Sequence, residues 1–317
     1  MSLSNLDLVN LCDSVPYPGT EAHQAIEDNC YRFYSHDGVQ LGLMIPVVVK
    51  ALGEYNQYFN IDETKRTISL DTSLDTEAAR SAAIAQVSMD WKLKKLFHNL
   101  EGWRNELYAV YNPTRTIYFL IERAVSVLFG VNTYGVHITG YVPPNPAKGT
   151  ALKLWIPRRS YTKPTFPGML DNCVAGGLGY PHGLFQTAIK ECEEEAGLKE
   201  EYVKTHLKPA GVISYIYRKL AVFDSEDGIL QPEVEYVYDL VIEEGIIPEP
   251  CDGEVDQFFL MELEEVLNEL AKGSFKPNSA IVTIDFLIRH GLITPETETN
   301  YMEICSRIHR RLPNPSF

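Results

Sequence analysis

Four glutamates within five residues are the feature of this sequence with the clearest chemical implication. Glu191, Glu193, Glu194 and Glu195 lie in the stretch GGLGYPHGLFQTAIKECEEEAGL, just before Gly197. On a helix, Glu191, Glu194 and Glu195 stand at i, i+3 and i+4 and share one face. Like charges at this spacing repel one another, and hard cations such as Mg²⁺ or Mn²⁺ prefer oxygen ligands. The spacing therefore predicts either a metal site or a solvated acidic face.

The neighbouring residues predict the helix that positions these glutamates. It begins near Phe185, and Ala188, Cys192 and Ala196 form a small apolar side that packs inward. Gly197 is a natural stop, because glycine readily adopts the left-handed conformation that ends a helix.

The chain divides into two parts of different character. Residues 1–130 mix helical and extended patterns without a chemical motif, and we expect a smaller α+β domain there. Residues 131–300 hold short strands around the glutamate-rich helix, and residues 301–317 read as a polar C-terminal tail. The order strand, strand, helix, strands, helix indicates an α+β fold with a mixed β-sheet covered by helices.

Composition limits the partners and the compartment. A formal charge of −15 argues against a nucleic acid or an anionic membrane as a partner. The longest apolar run, VQLGLMIPVVVKAL, is broken by Pro46 and is shorter than the roughly 20 residues of a membrane helix. Six scattered cysteines without a CxxC pair, and no secretory leader, favour a reducing interior, so we expect a cytoplasmic protein. The oligomeric state is left open.

The glutamate segment resembles the Nudix box, the signature of a family of hydrolases. That pattern reads glycine, five residues, glutamate, seven residues, Arg-Glu-apolar, one residue, Glu-Glu, one residue, Gly-apolar. In this chain the register runs from Gly176 to Leu198. His182 stands where the first glutamate is expected, and Lys190 replaces the arginine. Both positions orient the loop and helix in the family, whereas the metal-binding glutamates are all present, so the resemblance implies an active enzyme.

Segments outside the box resemble one branch of that family. They include GWRNELYAVY, YGVHITGYV, RRSYTKPTFPGMLDNCVAGGL and FKPNSAIVTIDFLIRHG, within roughly residues 100–292. The branch occurs alone or fused ahead of thiamine pyrophosphokinase, and this chain resembles the stand-alone form. The resemblance implies a Nudix fold and a diphosphatase that uses Mg²⁺ or Mn²⁺. The expected substrates are small-molecule diphosphates, namely thiamine diphosphate and above all its oxidised or damaged analogues such as oxythiamine and oxothiamine diphosphates, which yield monophosphates.

The resemblance also implies roles for individual residues. Glu194 and Glu195 are expected to ligate metal, and Glu191 to ligate it or to act as base on metal-bound water. The backbone carbonyl of Ala175 falls where Nudix proteins often supply another ligand. Glu254, in CDGEVDQFF, is our choice for a carboxylate from outside the box, although it can also be read as a turn residue.

Positive and polar residues around the box are candidate substrate contacts. A diphosphate needs cationic donors, and Arg158, Arg159 and Lys163 form the densest positive group before the box. Asp171 is expected to shape the pocket, although such residues are common at turns. His182 either donates to a phosphate or caps the loop.

Further residues permit two interpretations each. Lys190 either hydrogen-bonds a neighbouring carboxylate, which supports catalysis by holding the helix geometry, or is a surface lysine. Glu233 and Glu235 alternate along an apparent strand and are either metal ligands or water-facing groups. Trp103 and Arg104 either contact the organic ring of the substrate or pack between domains.

Three functions remain open on the sequence. The first is a metal-dependent diphosphatase for thiamine diphosphate-like compounds. The second keeps the chemistry but acts on a nucleotide-derived diphosphate, because the box recognises the diphosphate and the metals rather than the organic group. The third is a non-catalytic ligand-binding domain, suggested by His182 and Lys190. A pure binder has little use for three repelling carboxylates, which argues against the third.

Overall fold

The structure is a computed structural model that describes residues 2–219 and 226–317. Within these ranges the chain forms two lobes, each with its own sheet and hydrophobic core. The helices are α1 (Asn5–Cys12), α2 (Glu21–Asn29), α3 (Pro46–Leu52), α4 (Glu77–Lys94), α5 (Arg123–Ser126), α6 (Leu184–Ala196), α7 (Glu200–His206), α8 (Leu263–Ala271), α9 (Pro277–Arg289) and α10 (Tyr301–Arg307). None of the helices in these ranges combines the length and the hydropathy that a bilayer span requires.

The first lobe holds a four-stranded sheet and a separate hairpin. Its strands are β1 (Tyr31–Tyr34), β2 (Gln40–Met44), β3 (Phe59–Asp62), β4 (Thr67–Leu70), β5 (Leu107–Tyr111) and β6 (Ile117–Glu122). The sheet order is β2–β1–β4–β3, with β1 parallel to β4, and β5 pairs with β6. Phe33, Trp91, Phe119 and Phe129 are buried in its core. Because α4 packs against β6, the hairpin is held firmly to this core.

The second lobe is built on a six-stranded mixed sheet. Its strands are β7 (Thr133–Val142), β8 (Lys153–Arg159), β9 (Val174–Gly177), β10 (Leu207–Arg218), β11 (Leu230–Val241) and β12 (Val255–Glu262). The order is β10–β11–β7–β8–β12, and β9 pairs with β7. β11 runs parallel to β7, whereas the other pairs are antiparallel. The predicted α+β fold with a mixed sheet is confirmed.

Helices cover both faces of this second sheet. On one face, Ala188 of α6 and Val136 of β7 share a buried cluster. On the other, Ile281 of α9 shares a cluster with Tyr215 of β10. Side chains alternate along a strand, so His137, next to Val136, points to the α9 face. Each face of the sheet therefore presents a different set of polar groups at its edge.

The two lobes interlock. Leu8 of α1 is buried in the second lobe's core, whereas Ile229, just before β11, is buried in the first lobe's core. Residues 301–317, expected as a polar tail, form α10 and a segment in which Arg310 Nη1 lies 2.9 Å from Asp13 Oδ1. The chain thus crosses between the lobes more than once, and the predicted domain boundaries stay a prediction.

Candidate active site

The glutamate-rich helix predicted from the sequence is α6. At its start, the Gln186 side chain accepts a hydrogen bond from the backbone N–H of Gly183 at 3.4 Å. At its end, Gly197 has a φ of 64°, the left-handed conformation expected for the stop. These two ends fix the helix so that Glu191, Glu194 and Glu195 line one cavity.

This cavity, of about 520 Å³, lies between the two lobes. The predicted site residues that line it are Arg159, Lys163, Ala175, Lys190, Glu191, Glu194, Glu195 and Glu254. The first lobe contributes Arg104, Glu106, Tyr108 and Arg123. Both lobes therefore build the wall of a single site.

Glu195 is the most buried of the α6 carboxylates, with 8% of its surface exposed. One of its oxygens accepts a hydrogen bond from the backbone N–H of Ala175 at 3.1 Å. Burial raises the pKa of Glu195 well above its usual value. A cation nearby would reverse this effect, because it would replace the water that the carboxylate has lost. Ala175 contributes its N–H in this arrangement, and the role of its carbonyl stays a prediction.

Glu191 packs against the backbone of β9. A Cβ added to Gly176 would lie 2.4 Å from Glu191 Cδ, so only glycine leaves room for this carboxylate. Burial raises the pKa of Glu191, although Lys190 opposes the shift. Glu191 is thus a desolvated carboxylate on the cavity wall, in place to bind a cation or take up a proton.

Lys190 links two of the glutamates. Its Nζ lies 2.5 Å from Glu194 Oε2 and 3.4 Å from Glu191 Oε1. The carboxylate contacts predicted for this lysine are therefore present, while half of the Glu194 side chain remains exposed. Lys190 reduces the repulsion that the glutamate spacing creates.

Glu254 reaches the cavity from the turn before β12. Its backbone N–H donates to Asp252 Oδ1 at 2.8 Å, so the residue also belongs to a turn. Its carboxylate pairs with Lys163 and lies 3.9 Å from Arg104 Nη1. Burial would raise the pKa of Glu254, yet the hydrogen bond and charge of Lys163 outweigh it and lower that pKa. Glu254 therefore contributes an ionised carboxylate to the wall of the cavity.

The donor set suits a hard divalent cation in type and place. The carboxylates that line the cavity include Glu191, Glu194, Glu195 and Glu254, and burial disfavours the anionic form of Glu191 and Glu195. In the described part of the chain, no three acidic, histidine or cysteine side chains are close enough as they stand to hold an ion. The carboxylate of Glu194 forms an ion pair with Lys190, and that of Glu254 forms one with Lys163. If Glu194 and Glu254 were to hold an ion, each would exchange its lysine partner for that ion.

Arg159 and Asp171, both predicted as substrate contacts, are bound to each other. Arg159 Nη1 lies 2.6 Å from Asp171 Oδ2, and its other nitrogens donate to the carbonyls of Thr165 and Phe166 at 3.1 Å. Asp171 also accepts from the Ser279 hydroxyl. Burial would raise the pKa of Asp171, yet nearby cations lower it to about 2. The pair fastens the loop after β8, and only Arg159 lines the main cavity.

Two other predicted contacts lie away from the cavity lining. Arg158 Nη1 donates to the Gly168 carbonyl at 2.9 Å, and its guanidinium lies 5.5 Å from the Phe259 ring centre. His182 is exposed, and its backbone N–H donates to the Gly179 carbonyl at 2.9 Å. Their roles in substrate binding stay predictions that this arrangement does not favour.

Glu233 and Glu235 of β11 also line the cavity. Tyr215 donates its hydroxyl to Glu233 and, at 3.2 Å, to Glu235 Oε1. His137 Nε2 lies 3.7 Å from Glu235. Burial, and then the charge of Glu235, raise the pKa of Glu233 to about 7. Both glutamates line the cavity, Glu235 is buried and Glu233 partly buried, and their role as metal ligands stays a prediction.

Sequence reasoning missed several cavity residues. They are Glu106, Tyr108, Thr133, Arg123, Lys276 and Asn278. Glu106 and Tyr108 lie in GWRNELYAVY, a segment quoted for the resemblance, whereas Arg123 lies in no quoted segment; all three reach the site through the packing of the lobes. Lys276 lies in FKPNSAIVTIDFLIRHG, a segment quoted for the resemblance, and its position just before the N-terminus of α9 was the available signal.

Comparison with known proteins identifies the family. A domain of unknown function, DUF4743, matches residues 6–133, and the NUDIX domain matches residues 141–281. Nudix hydrolase 24 of Arabidopsis thaliana, named chloroplastic, is 36% identical over 87% of this chain and 74% of its own length. The chain belongs to the Nudix hydrolases, enzymes that act on diphosphates, with an additional N-terminal domain.

Two further relatives extend over much of the chain. An uncharacterised protein of Saccharomyces cerevisiae is 39% identical over 99% of this chain and 92% of its own length. Nudix hydrolase 20 of Arabidopsis thaliana, also named chloroplastic, is 37% identical over 79% of this chain and 63% of its own length. Both lobes therefore belong to the region shared with these relatives.

Proposed function

We propose that this Nudix hydrolase is a metal-dependent diphosphatase that acts on thiamine diphosphate-like compounds, and on their oxidised analogues in preference to the intact cofactor. The observation that carries the proposal is one cavity in which the α6 carboxylates lie together with polar groups from other elements, among them Tyr108 and Asn278. The carboxylates suit metal ions that hold a diphosphate, and the remaining polar groups suit an organic group.

Glu191, Glu194, Glu195 and Glu254 are the residues that would hold Mg²⁺ or Mn²⁺. When bound, such an ion neutralises the diphosphate and lowers the pKa of attacking water. Glu191 is desolvated and packed against Gly176, so we assign it a second task, namely to accept the proton of that water. Lys190 bridges Glu191 and Glu194 and offsets the repulsion between their carboxylates.

Cations on the wall receive the anionic end of the substrate. Lys163 and Arg104 both contact Glu254, and they can turn to phosphate oxygens when Glu254 takes an ion instead. This exchange keeps every charge paired. Arg159 lines the cavity, but its guanidinium forms an ion pair with Asp171. We therefore assign it a structural rather than a phosphate-binding role.

Preference for an oxidised, neutral ring is supported by Lys276. Its ammonium lines the cavity, and in the described ranges it has neither a side-chain hydrogen bond nor an ion pair within 4 Å. This ammonium, whose charge also acts on Asp171, Glu233 and Glu235, can donate to an oxo group and repels a thiazolium cation. The nearby carboxylates favour a cationic ring, so the balance of these charges decides between the thiazolium and the oxidised, neutral ring. The sequence resemblance favours the oxidised ring.

Two measurements test the proposal together. Isothermal titration with Mn²⁺ should show binding that Glu194→Gln weakens, and a phosphate-release assay should rank a panel of diphosphates. We expect thiamine-type diphosphates to exceed nucleotide-linked diphosphates in kcat/KM. Faster hydrolysis of the nucleotide-linked compounds would show that the substrates are nucleotide-derived diphosphates. Mn²⁺ binding without hydrolysis of any compound would contradict the proposed diphosphatase activity.

We also propose a cytoplasmic location. All six cysteines are free thiols in the structure, as expected in a reducing compartment. Because two relatives are named chloroplastic, fluorescence microscopy of a tagged chain in its own cell is the test, and an organellar signal would contradict the proposal.

A further inference from the structure

Arg123 brings a cation of the first lobe to the cavity beside β9. The residue begins α5, and its side chain lines the cavity. A Cβ added to Gly177 would lie 3.2 Å from Arg123 Nη1, so the guanidinium lies close to the strand. The contact joins the two lobes, because Arg123 belongs to the first and Gly177 to the second.

Glu106 holds this guanidinium in place. Arg123 Nη1 lies 2.8 Å from Glu106 Oε2, and the backbone N–H of Arg123 donates to the Glu106 carbonyl at 2.8 Å. A Cβ added to Gly179 would lie 2.7 Å from Glu106 Oε1, so Glu106 is itself packed against the loop before α6. The Arg123–Glu106 pair is therefore fixed to the second lobe as well as to its own.

The pair uses only part of the donor capacity of Arg123. A guanidinium carries five N–H donors, and among the described residues Glu106 is the one side chain that accepts from it. The Arg123 side chain keeps 36% of its surface exposed. N–H donors on the cavity wall therefore remain free to bind a ligand.

The order of contacts along β9 indicates which part of a substrate Arg123 would meet. Glu195 accepts from the backbone of Ala175, and Glu191 lies against the next residue, Gly176. Arg123 lies against the residue after that, and consecutive Cα atoms are about 3.8 Å apart. Arg123 and Glu191 approach the strand from opposite faces, yet both line the same cavity. A diphosphate held at the two glutamates would therefore place the adjoining ring near Arg123.

A guanidinium distinguishes between the two forms of such a ring. It stays cationic, so it repels a thiazolium, and its N–H groups can donate to the oxo group of an oxidised, neutral ring. Glu106 offsets part of this charge, and the charge of Glu233 also acts on Arg123. An ionised carboxylate has no donor for an oxo group, so of these three side chains only Arg123 can bind one.

We propose that Arg123 is a specificity-determining residue of this hydrolase: it donates to a carbonyl group on the ring next to the diphosphate and disfavours a cationic ring. Glu106 is the residue that positions it. The inference rests on the proposed function, because it requires the diphosphate to lie at the α6 glutamates. It gives the first lobe a part in substrate selection, in the same direction as the effect of Lys276.

The monophosphates of thiamine and oxothiamine are the matched probes. They differ in the charge and the oxo group of the thiazole ring, and as products of the proposed reaction they are not cleaved. By isothermal titration of the full chain with Mg²⁺, we expect oxothiamine monophosphate to bind roughly fivefold or more tightly than thiamine monophosphate, as one charge-assisted hydrogen bond permits. Arg123→Gln should reduce this ratio to less than half of its wild-type value.

Two further variants control for charge and for structure. Arg115→Gln removes the same charge from an exposed position of the first lobe outside the cavity, so it should keep the wild-type ratio. Glu106→Gln keeps an oxygen that accepts from Arg123 but removes the charge that offsets the guanidinium, so the ratio should rise. A pair with a purely structural role would leave the ratio unchanged.

The proposal is overturned if the wild-type ratio is below fivefold, if neither probe binds, if Arg123→Gln keeps more than half of the ratio, or if Arg115→Gln lowers it equally. Circular dichroism identifies a variant that does not fold. If Arg123→Gln does not fold, Glu106→Gln decides, and an unchanged or lower ratio in that variant overturns the proposal. Metal-dependent hydrolysis of the diphosphates is measured separately, so failure of the proposed function is distinguished from failure of this inference.

Discussion

Glu191 occupies the space that Gly176 leaves open on β9, with the position of a Cβ at residue 176 only 2.4 Å from Glu191 Cδ. The first glycine of the box thus has a direct physical task. It lets the carboxylate of α6 lie against the strand rather than stand away from it.

Gly176→Ala should therefore displace Glu191 and reduce kcat/KM by about 100-fold, because displacements of about 1 Å in a catalytic group can cost that much. Steady-state phosphate release measures the effect. Gly53→Ala is the matched control, since a Cβ there meets nothing within 4 Å. Unchanged activity in Gly176→Ala would show that the position of Glu191 against β9 is irrelevant to turnover.

Glu194→Gln and Glu195→Gln should each lower turnover by orders of magnitude and keep the fold, because each removes a charge that the metal ions need. Glu195→Gln should also raise the melting temperature of the metal-free protein, since a neutral amide suits this buried position and can still accept from Ala175. Phosphate release at saturating Mg²⁺ and thermal melting with a chelator measure these effects. Wild-type turnover in either variant would contradict the assignment of that glutamate as a metal ligand.

Lys190→Arg should keep most of the activity. Arginine is the usual residue at this position of the box, and its fork can reach the carboxylates of Glu191 and Glu194 that the lysine now contacts. We expect kcat/KM to remain within about threefold of the wild-type value, a difference of less than 1 kcal/mol in transition-state stabilisation. If activity is abolished while the circular dichroism spectrum is unchanged, the register of the box is wrong.

Metal-free stability should fall as pH rises through neutrality. Burial and the adjacent Glu235 raise the pKa of folded Glu233 to about 7, above the usual value of 4.5. The folded state then holds its proton more tightly, so this contribution to stability is complete below about pH 4.5 and is lost as pH rises through about 7. Thermal melts between pH 5 and 8 measure it. Glu233→Gln should reduce the slope, whereas Glu244→Gln should not, and equal slopes would contradict the assignment.

Arg159→Met should destabilise the protein by about 3 kcal/mol, because it removes the ion-pair partner of the buried Asp171 carboxylate and leaves only the more distant charge of Lys276. Arg158→Met, a change of the same kind one residue earlier, removes one bond to the Gly168 carbonyl and should cost about 1 kcal/mol. Urea denaturation gives both values. Similar small losses in the two variants would show that the Arg159–Asp171 pair does not hold the loop.

The sequence predicted the geometry of α6 because the information for it is local. Helical spacing places Glu191, Glu194 and Glu195 on one face, and Gly197 ends the helix. The strand alternation at Glu233 likewise placed its side chain on one face, but it could not tell whether water or another lobe lies over that face.

The residues that the sequence did not reveal depend on contacts between distant segments. Tyr108 of β5 and Arg123 of α5 reach the cavity because the first lobe packs against the second lobe. Asp171 was recognised as a pocket residue, yet its partner Ser279 lies 108 positions away and sets its structural role. Side chains of this kind have no spacing signal, so only the assembled fold identifies them.

The most direct test of the central claim is the rate of metal-dependent cleavage of thiamine-type diphosphates. Values of kcat/KM for thiamine, oxythiamine and oxothiamine diphosphates should be measured with Mg²⁺ and Mn²⁺, with and without a chelator, and with the products identified. The account predicts monophosphate and phosphate as products, no turnover with chelator, and the highest kcat/KM for oxothiamine diphosphate. Best hydrolysis of intact thiamine diphosphate, or faster cleavage of nucleoside diphosphate-linked compounds, would contradict it.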